Sequence, residues 1–288
     1  MDISLIENQI NIVHLDKYAA IIGENPSNGA RSPKLWNAVF DNDGLNYSMI
    51  PLDVTKDKII ELLNDLSRDE DFIGGAIAVP YKETVSKWLG ENITPEAKKI
   101  GAVNCLYRDA KGKLQGANTD GEASLVTFKN KFGSLESKSI MILGIGGAGK
   151  AVASYFATNA NFTTIISRSK EGKKYADKIG VNWADWGDID SITNDNDIVI
   201  NCTSIGFGDQ EGRSPLSKNQ ISNLKPSTVI FDIVYQPLKT KFLQIAEHEG
   251  LSIFNGLEMN MEQAVLAYRY TVKSNQKLHE IRKIMSKI

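Results

Sequence analysis

Six consecutive residues, Gly144-Ile145-Gly146-Gly147-Ala148-Gly149, fit the pattern G-x-G-x-x-G and sit between an apolar run, Ile140 to Leu143, and a helix-forming stretch. Glycines at Gly144, Gly146 and Gly149 allow a tight turn and close backbone approach. The N–H groups of Gly147 and Ala148 then lie at the positive end of the following helix, where a pyrophosphate is stabilised. About 20 residues beyond such a loop an NAD site usually offers a carboxylate to the ribose 2′-hydroxyl. Here the chain reads Ile166-Ser167-Arg168-Ser169-Lys170 and no carboxylate stands there. A guanidinium grips a phosphate through two parallel hydrogen bonds, so Arg168, with donors from Ser167, Ser169 and Lys170, favours NADP. The alternatives are a ligand-free glycine turn and an ordinary surface arginine.

A loop of this kind works only on a parallel α/β scaffold, and the rest of the chain supplies one. The 288 residues are 42% hydrophobic and 24% charged, the profile of a globular enzyme of about two domains rather than a disordered or disulfide-stapled chain. With 33 basic against 35 acidic residues the formal charge is −2, which points away from nucleic acid and membrane and toward a small-molecule partner. Apolar runs are strand-sized, and the N-terminal stretch is too acidic and polar for a secretory signal, so a cytoplasmic location is expected. Cys105 and Cys202 are too few and too far apart for a disulfide framework, and His14, His248 and His279 lack neighbours at metal-ligand spacing, so no metal is assigned.

From Tyr18 onward short apolar runs alternate with helical stretches, as in βαβ units. Strands are expected at Tyr18 to Gly23, Tyr47 to Leu52 and Phe72 to Val79, the last stopped by Pro80. Helices are expected at Pro33 to Phe40, capped by Ser32, and around Ile59 to Leu66, capped by Asp53. Thr94-Pro95-Glu96 opens another helix, and Asn104 to Arg108 with Leu114 to Ala117 brackets a hairpin turn. The second half continues with strands at Ser139 to Leu143, Thr163 to Ile166, Asp197 to Asn201, Val229 to Asp232 and Ser252 to Phe254. Helices follow at Gly147 to Asn159, Lys170 to Ile179 and Thr240 to Gly250, and two more run from about Met259 to Lys287 with little turn between them. The basic residues of that tail read as a solvated helix face.

Ordered motifs then carry a resemblance. Gly23-Glu24-Asn25-Pro26 with Ser32-Pro33, Val79-Pro80-Tyr81-Lys82-Glu83, Gly101-Ala102-Val103-Asn104 and Asn118-Thr119-Asp120-Gly121 precede the glycine loop. Ser167-Arg168-Ser169, Asn201-Cys202-Thr203-Ser204-Ile205-Gly206, Asp232 to Gln236 and Gly256 to Gln263 follow it. From Tyr18 to about Tyr270 the chain resembles the shikimate and quinate dehydrogenase family. That likeness implies a two-lobed α/β fold: an N-terminal α/β substrate domain, 1–120 plus 256–288, faces a Rossmann-type doubly wound NADP-binding domain, 121–255, across a cleft. It implies reversible hydride transfer between NADP and a ring hydroxyl carbon, as in reduction of 3-dehydroshikimate to shikimate.

Family roles carried onto matching positions make Lys82 and Asp120 the catalytic pair, with Asn104 and Gln263 reading ring hydroxyls and Ser32 and Tyr235 facing the substrate carboxylate. Thr203, Ile233 and Gly256 join the glycine loop in holding the cofactor, and the protein acts as monomer or homodimer. The chemistry suits the residue types, because a ketone reduced by hydride becomes an alkoxide and a proton donor beside it gains about 10²- to 10⁴-fold. The sequence leaves open whether Lys82 passes the proton or only stabilises charge.

Two family hydroxyls are absent. Ala30 replaces the first serine of a Ser-x-Ser pair, and Ala78 stands two residues before Pro80 where threonine is usual. Lost hydrogen bonds to a carboxylate cost roughly 1.5 to 3 kcal/mol each. A shikimate-like substrate held differently is therefore one expectation, with quinate, aminoshikimate or another cyclic polyol as candidates. Arg31, Asn28 or Trp36, which stands where many members have histidine, would then be the replacement donors. Retention of ordinary shikimate chemistry through Ser32 and Tyr235 is the other. A two-lobed dehydrogenase of the methylenetetrahydrofolate type would not predict Asn118-Thr119-Asp120, and a non-catalytic NADP sensor would not need both Lys82 and Asp120.

Overall fold

The computed structural model describes residues 1–12, 14–192, 195–273 and 276–288. Two compact units emerge: 1–119 together with 261–288, and 120–260. The family resemblance implies boundaries at 120/121 and 255/256.

The first unit is a five-stranded sheet carrying helices on both faces. Its elements are β1 (Lys17–Gly23), α1 (Ser32–Asn42), β2 (Tyr47–Asp53), α2 (Ile59–Arg68), β3 (Phe72–Ile77), α3 (Lys82–Leu89), α4 (Pro95–Ile100), β4 (Cys105–Arg108) and β5 (Leu114–Ala117). Strand order is β2-β1-β3-β4-β5, with the first three parallel and the last two folded back antiparallel. β1 runs between β2 and β3, and its side chains divide cleanly. Tyr18, Ala20 and Ile22 enter one apolar cluster, while Ala19 and Ile21 enter the other. Burial on both faces is why β1 reads as a continuous apolar run instead of an alternating one. The antiparallel hairpin turns through Asp109, whose carboxylate accepts the N–H groups of Lys111 (2.8 Å) and Lys113 (3.0 Å).

The second unit contains α5 (Asp120–Phe132), β6 (Ser139–Leu143), α6 (Gly147–Ala157), β7 (Phe162–Ser167), α7 (Lys170–Ile179), β8 (Asn182–Asp185), α8 (Ile189–Ile192), β9 (Ile198–Asn201), α9 (Lys218–Ser222), β10 (Val229–Asp232), α10 (Lys241–His248) and β11 (Ser252–Phe254). Its six strands are all parallel, in the order β11-β10-β9-β6-β7-β8. This is a doubly wound sheet whose order reverses at β6, and ligands of such sheets bind outside the carboxyl ends at that reversal. The glycine loop follows β6. α11 (Leu257–Val272) opens in this unit and continues into the first, where α12 (Leu278–Met285) closes the chain. The turn expected between these last two helices includes residues 274–275, which lie outside the described residues.

Several expectations are corrected. Ser32 does not cap α1: it is the helix's first residue, 4% exposed, and Arg31 occupies the cap position without a capping bond from its side chain. Asp53 is five residues too early to cap α2, which starts after Lys58. Its carboxylate instead takes the backbone N–H of Ser27 at 2.8 Å and the Ser27 hydroxyl, so it ties down the loop between β1 and α1. β3 ends at Ile77, two residues before its expected end. β8, α8 and α9 carry too little apolar periodicity to be seen in sequence: β8 is a four-residue edge strand with no fully buried side chain.

Candidate active site

In the first unit three polar side chains meet in a buried knot. Asn104, at the entrance to β4, is held by its own backbone: its N–H donates to the Ala117 carbonyl and its carbonyl accepts from Ile77 at 2.8 Å. The Asn104 amide N donates to Thr119 Oγ1 at 3.0 Å and to Gln263 Oε1 at 3.4 Å, while its Oδ1 accepts the Thr119 N–H at 2.8 Å. The Thr119 hydroxyl donates to the Gln263 carbonyl at 3.1 Å. Next to it, the Asn118 amide donates to the Ala102 carbonyl at 3.0 Å. β4, β5 and α11 are therefore locked together at one point. Asn104 is 2% and Gln263 9% exposed, and polar groups so buried are expected to be paired.

Lys82 is the first residue of α3, half-buried, and its carbonyl accepts the Val103 N–H at 2.9 Å, one residue from Asn104. The backbone thus places Lys82 and Asn104 side by side in the same unit. Tyr81, just before it, is buried and donates its hydroxyl to the Val54 carbonyl at 2.7 Å, fixing the start of the helix. A lysine opening a helix opposes the local dipole, so packing and not propensity sets its position.

Ala30 and Ala78 both pack against the apolar cluster that contains Trp36, Phe40 and Tyr268. Trp36 is wholly buried, edge-on to Tyr268 with ring centroids 5.2 Å apart. It is a core residue, and its indole Nε1 is buried without a hydrogen-bond partner. Arg31 is half-buried and Asn28 exposed on the loop that Asp53 anchors.

In the second unit the glycine loop closes on itself. A Cβ at Gly149 would lie 2.5 Å from the Gly144 carbonyl oxygen, and one at Gly144 would strike Thr203 at 2.6 Å, so helix α6 can approach the β9 loop only with glycine there. At Gly146 a Cβ would meet nothing within 4 Å. Tight packing behind and open space in front is the cradle a pyrophosphate needs. That space belongs to a cavity of about 590 Å³ lined by Gly144, Gly146, Arg168, Trp186, Thr203 and Gln210, among others.

Of the expected phosphate donors, two are engaged internally. The Ser167 hydroxyl accepts the Trp183 indole N–H at 2.9 Å and donates to the Ser169 carbonyl at 3.3 Å. The Ser169 hydroxyl caps α7 by accepting from Gly172. Exposed Arg168 and Lys170 are the cations left facing outward at the end of β7.

A buried network that sequence reading missed organises the other loops. At the ends of β9 and β10, the Asn201 amide donates to Asp232 Oδ1 at 3.0 Å. Asn201 Oδ1 accepts both the N–H (3.0 Å) and the hydroxyl (2.7 Å) of Thr203. Asp232 also accepts the Val234 N–H at 3.1 Å and the Thr240 hydroxyl at 2.7 Å. Burial pushes the Asp232 carboxyl up to about 6, and these hydrogen bonds pull it back only in part. One pair therefore sets the loops bearing Thr203 and Ile233 to Tyr235. Gly256 packs on the same loop, where a Cβ would sit 1.9 Å from the Ile233 carbonyl oxygen. Asp120 opens α5 and is 4% exposed.

Burial raises the Cys105 thiol to about 12 and raises Cys202 as well, so neither is a nucleophile. Among the described residues no group of three His, Cys, Asp or Glu could hold a metal, and no helix is long and apolar enough to cross a membrane.

A doubly wound parallel sheet with a glycine cradle and a cation at the end of its second strand, in a chain with a second α/β unit that holds a buried amide pair, defines a two-unit dinucleotide-binding protein. Comparison with known proteins narrows this. Residues 21–106 match the shikimate dehydrogenase substrate binding domain, and residues 127–234 match shikimate / quinate 5-dehydrogenase. A shikimate dehydrogenase (NADP(+)) of Pyrococcus furiosus is 34% identical over 253 residues, covering 88% of this chain and 89% of that one. Among solved structures, shikimate 5-dehydrogenase of Listeria monocytogenes in complex with shikimate and NAD superposes with a TM-score of 0.80 at 26% identity, covering 97% of this chain and 99% of that one. The shikimate 5-dehydrogenase of Thermus thermophilus in complex with NADP(H) and shikimate gives 0.80 at 25% identity, covering 94% and 99%. The chain belongs to the shikimate and quinate dehydrogenase family.

Proposed function

We propose that the chain is an NADP-dependent oxidoreductase that interconverts 3-dehydroshikimate and shikimate, with Lys82 and Asp120 as its catalytic residues. The observation that carries this reading is the buried contact of Asn104 with Gln263, a pair of amides beside Lys82's helix start and suited to reading ring hydroxyls. Bound NADPH supplies the hydride. Lys82 donates N–H bonds to the substrate carbonyl oxygen, stabilises the negative charge that gathers there as the C–O bond becomes single, and delivers the proton that makes the alcohol. Asp120 supplies the counter-charge. Asn104 and Gln263 orient the ring, Ser32 and Tyr235 take the carboxylate, and Arg168 takes the 2′-phosphate while the N–H groups of Gly147 and Ala148 meet the pyrophosphate. The remaining assigned cofactor contacts are Thr203, Ile233 and Gly256.

Ala30 and Ala78 favour a second reading of the same chemistry. Both present methyl groups to an apolar cluster, where a hydroxyl donor for the substrate carboxylate would stand in many relatives. A cyclic polyol that is held less tightly at that end, such as quinate or aminoshikimate, then competes with shikimate. Steady-state oxidation of shikimate, quinate and aminoshikimate with NADP⁺ and NAD⁺ tests both readings. Efficient turnover of shikimate with NADP⁺, unimproved by A30S and A78T, supports the first; a large gain in both variants supports the second. No oxidation of any cyclic polyol overturns the assignment. Two unbridged, buried thiols support a cytoplasmic, reducing location, and the assembly is assigned as monomer or homodimer, to be read by sedimentation.

A further inference from the structure

We propose that Trp186 is the platform on which the adenine ring of the cofactor stacks. The inference rests on the NADP reading and adds to it the residue that recognises the purine. Trp186 follows β8, the edge strand beside β7, and lines the same cavity as Arg168 and the glycine loop. With the pyrophosphate at Gly146 and the 2′-phosphate at Arg168, the adenosine end must lie toward the β7–β8 edge of the sheet, and Trp186 is the aromatic residue lining the cavity there.

The turn that carries the indole is held within the protein itself. The Asp185 carboxylate accepts the Gly187 N–H at 2.9 Å, capping a short 3₁₀ turn at Trp186. The ring also packs partly against the apolar cluster of Leu143, Ile166 and Ile189. One surface is thus anchored in the core and another is turned to the cavity. Trp183 does not share the role: its N–H is spent on Ser167 and Lys173 lies 5.9 Å above its ring. A rigid aromatic face loses little entropy on stacking, and stacking of a base on an aromatic side chain is worth about 1 to 3 kcal/mol by alanine substitution.

The probe is adenosine 2′,5′-bisphosphate, titrated calorimetrically and by tryptophan emission into the full chain. Trp186→Leu, which keeps the apolar contact with the core, should weaken binding by about tenfold or more, whereas Trp186→Phe should stay within about threefold. The change in emission on binding should persist in Trp183→Phe and vanish in Trp186→Phe. Shikimate binding should be the same in all variants. Unchanged affinity in Trp186→Leu, or a persistent emission change in Trp186→Phe, overturns the proposal. Wild-type protein that binds AMP as tightly as the bisphosphate, and loses both in Trp186→Leu, keeps the platform but removes the NADP preference; failure to bind either nucleotide removes both.

Discussion

Asn104 and Gln263 lie 159 positions apart in the chain and 3.4 Å apart in the fold, joined amide to amide beside Thr119. Each partner is buried, where polar groups are expected to be paired. Gln263→Ala should lower kcat/KM for shikimate by about 10- to 100-fold, the weight of one or two hydrogen bonds, while the Kd for NADPH stays unchanged. Asn104→Ala should do the same and also destabilise the fold by about 1 to 2 kcal/mol, because the Thr119 N–H loses its acceptor. A parallel loss of NADPH affinity in either variant, measured on fully folded protein, would refute the separation of roles.

Glu262, next to Gln263, is 4% exposed and receives a two-pronged bond from Arg282 of α12, both contacts 2.6 Å. Arg282 is therefore not merely part of a solvated basic face. Removing it leaves a buried carboxylate without its charged partner, and because Arg282 itself is partly exposed and water can replace it, the cost should be about 1 to 3 kcal/mol. Arg282→Ala should lower the urea midpoint and raise KM for shikimate, and Arg282→Lys, with one donor where two are needed, should recover only part. Chemical denaturation with parallel kinetics measures both.

Arg108 caps a helix from a distance. Its guanidinium donates to the carbonyls of Leu66 (3.0 Å) and Ser67 (3.3 Å) in the last turn of α2, and to those of Asp69 (2.7 Å), Phe72 (2.6 Å) and Gly112 (2.5 Å). Carbonyls at a helix C-terminus have no partner within the helix and take one from outside. Arg108→Ala should cost about 2 to 4 kcal/mol in the first unit with no loss of dinucleotide affinity. Equal losses in stability and in NADPH binding would contradict that localisation.

Asp232 gives stability a pH dependence of defined sign. Its carboxyl holds a proton up to about pH 6 in the folded chain, against 3.8 for the ordinary group. The contribution is thus fully present below about pH 4 and is lost as pH rises through about 6. The displacement corresponds to about 3 kcal/mol at most. The difference in unfolding free energy between wild type and Asp232→Asn should therefore change by that order between about pH 4 and 7, with wild type losing ground as pH rises. A flat difference across the range would exclude burial of this carboxyl as the cause.

Glycine at position 149 is a steric requirement. Gly149→Ala places a methyl against the Gly144 carbonyl, must shift α6 away from the loop, and should weaken NADPH binding by about tenfold or more while shikimate binding survives. Fluorescence titration of the cofactor reads the outcome directly.

Local chemistry is enough to make some of this protein legible from its residues. The strand-loop-helix of the glycine motif, the hairpin around Asp109 and the lack of a carboxylate from Ile166 to Lys170 all depend on neighbours within a few positions, where periodicity and turn preferences act. Caps are less legible. Ser32 and Asp53 have the right side chains for capping, yet burial of Ser32 in α1 and the demand of the Ser27 loop on Asp53 override that propensity. What only the folded chain decided are the contacts between distant segments. Asn104 found Gln263, Asn201 found Asp232, and Trp36 of α1 went into the core, because the free energy of each depends on which groups are removed from water together. Trp186 could not be told from Trp183 by type or spacing. The twist and order of six parallel strands bring one to the cavity and leave the other holding Ser167.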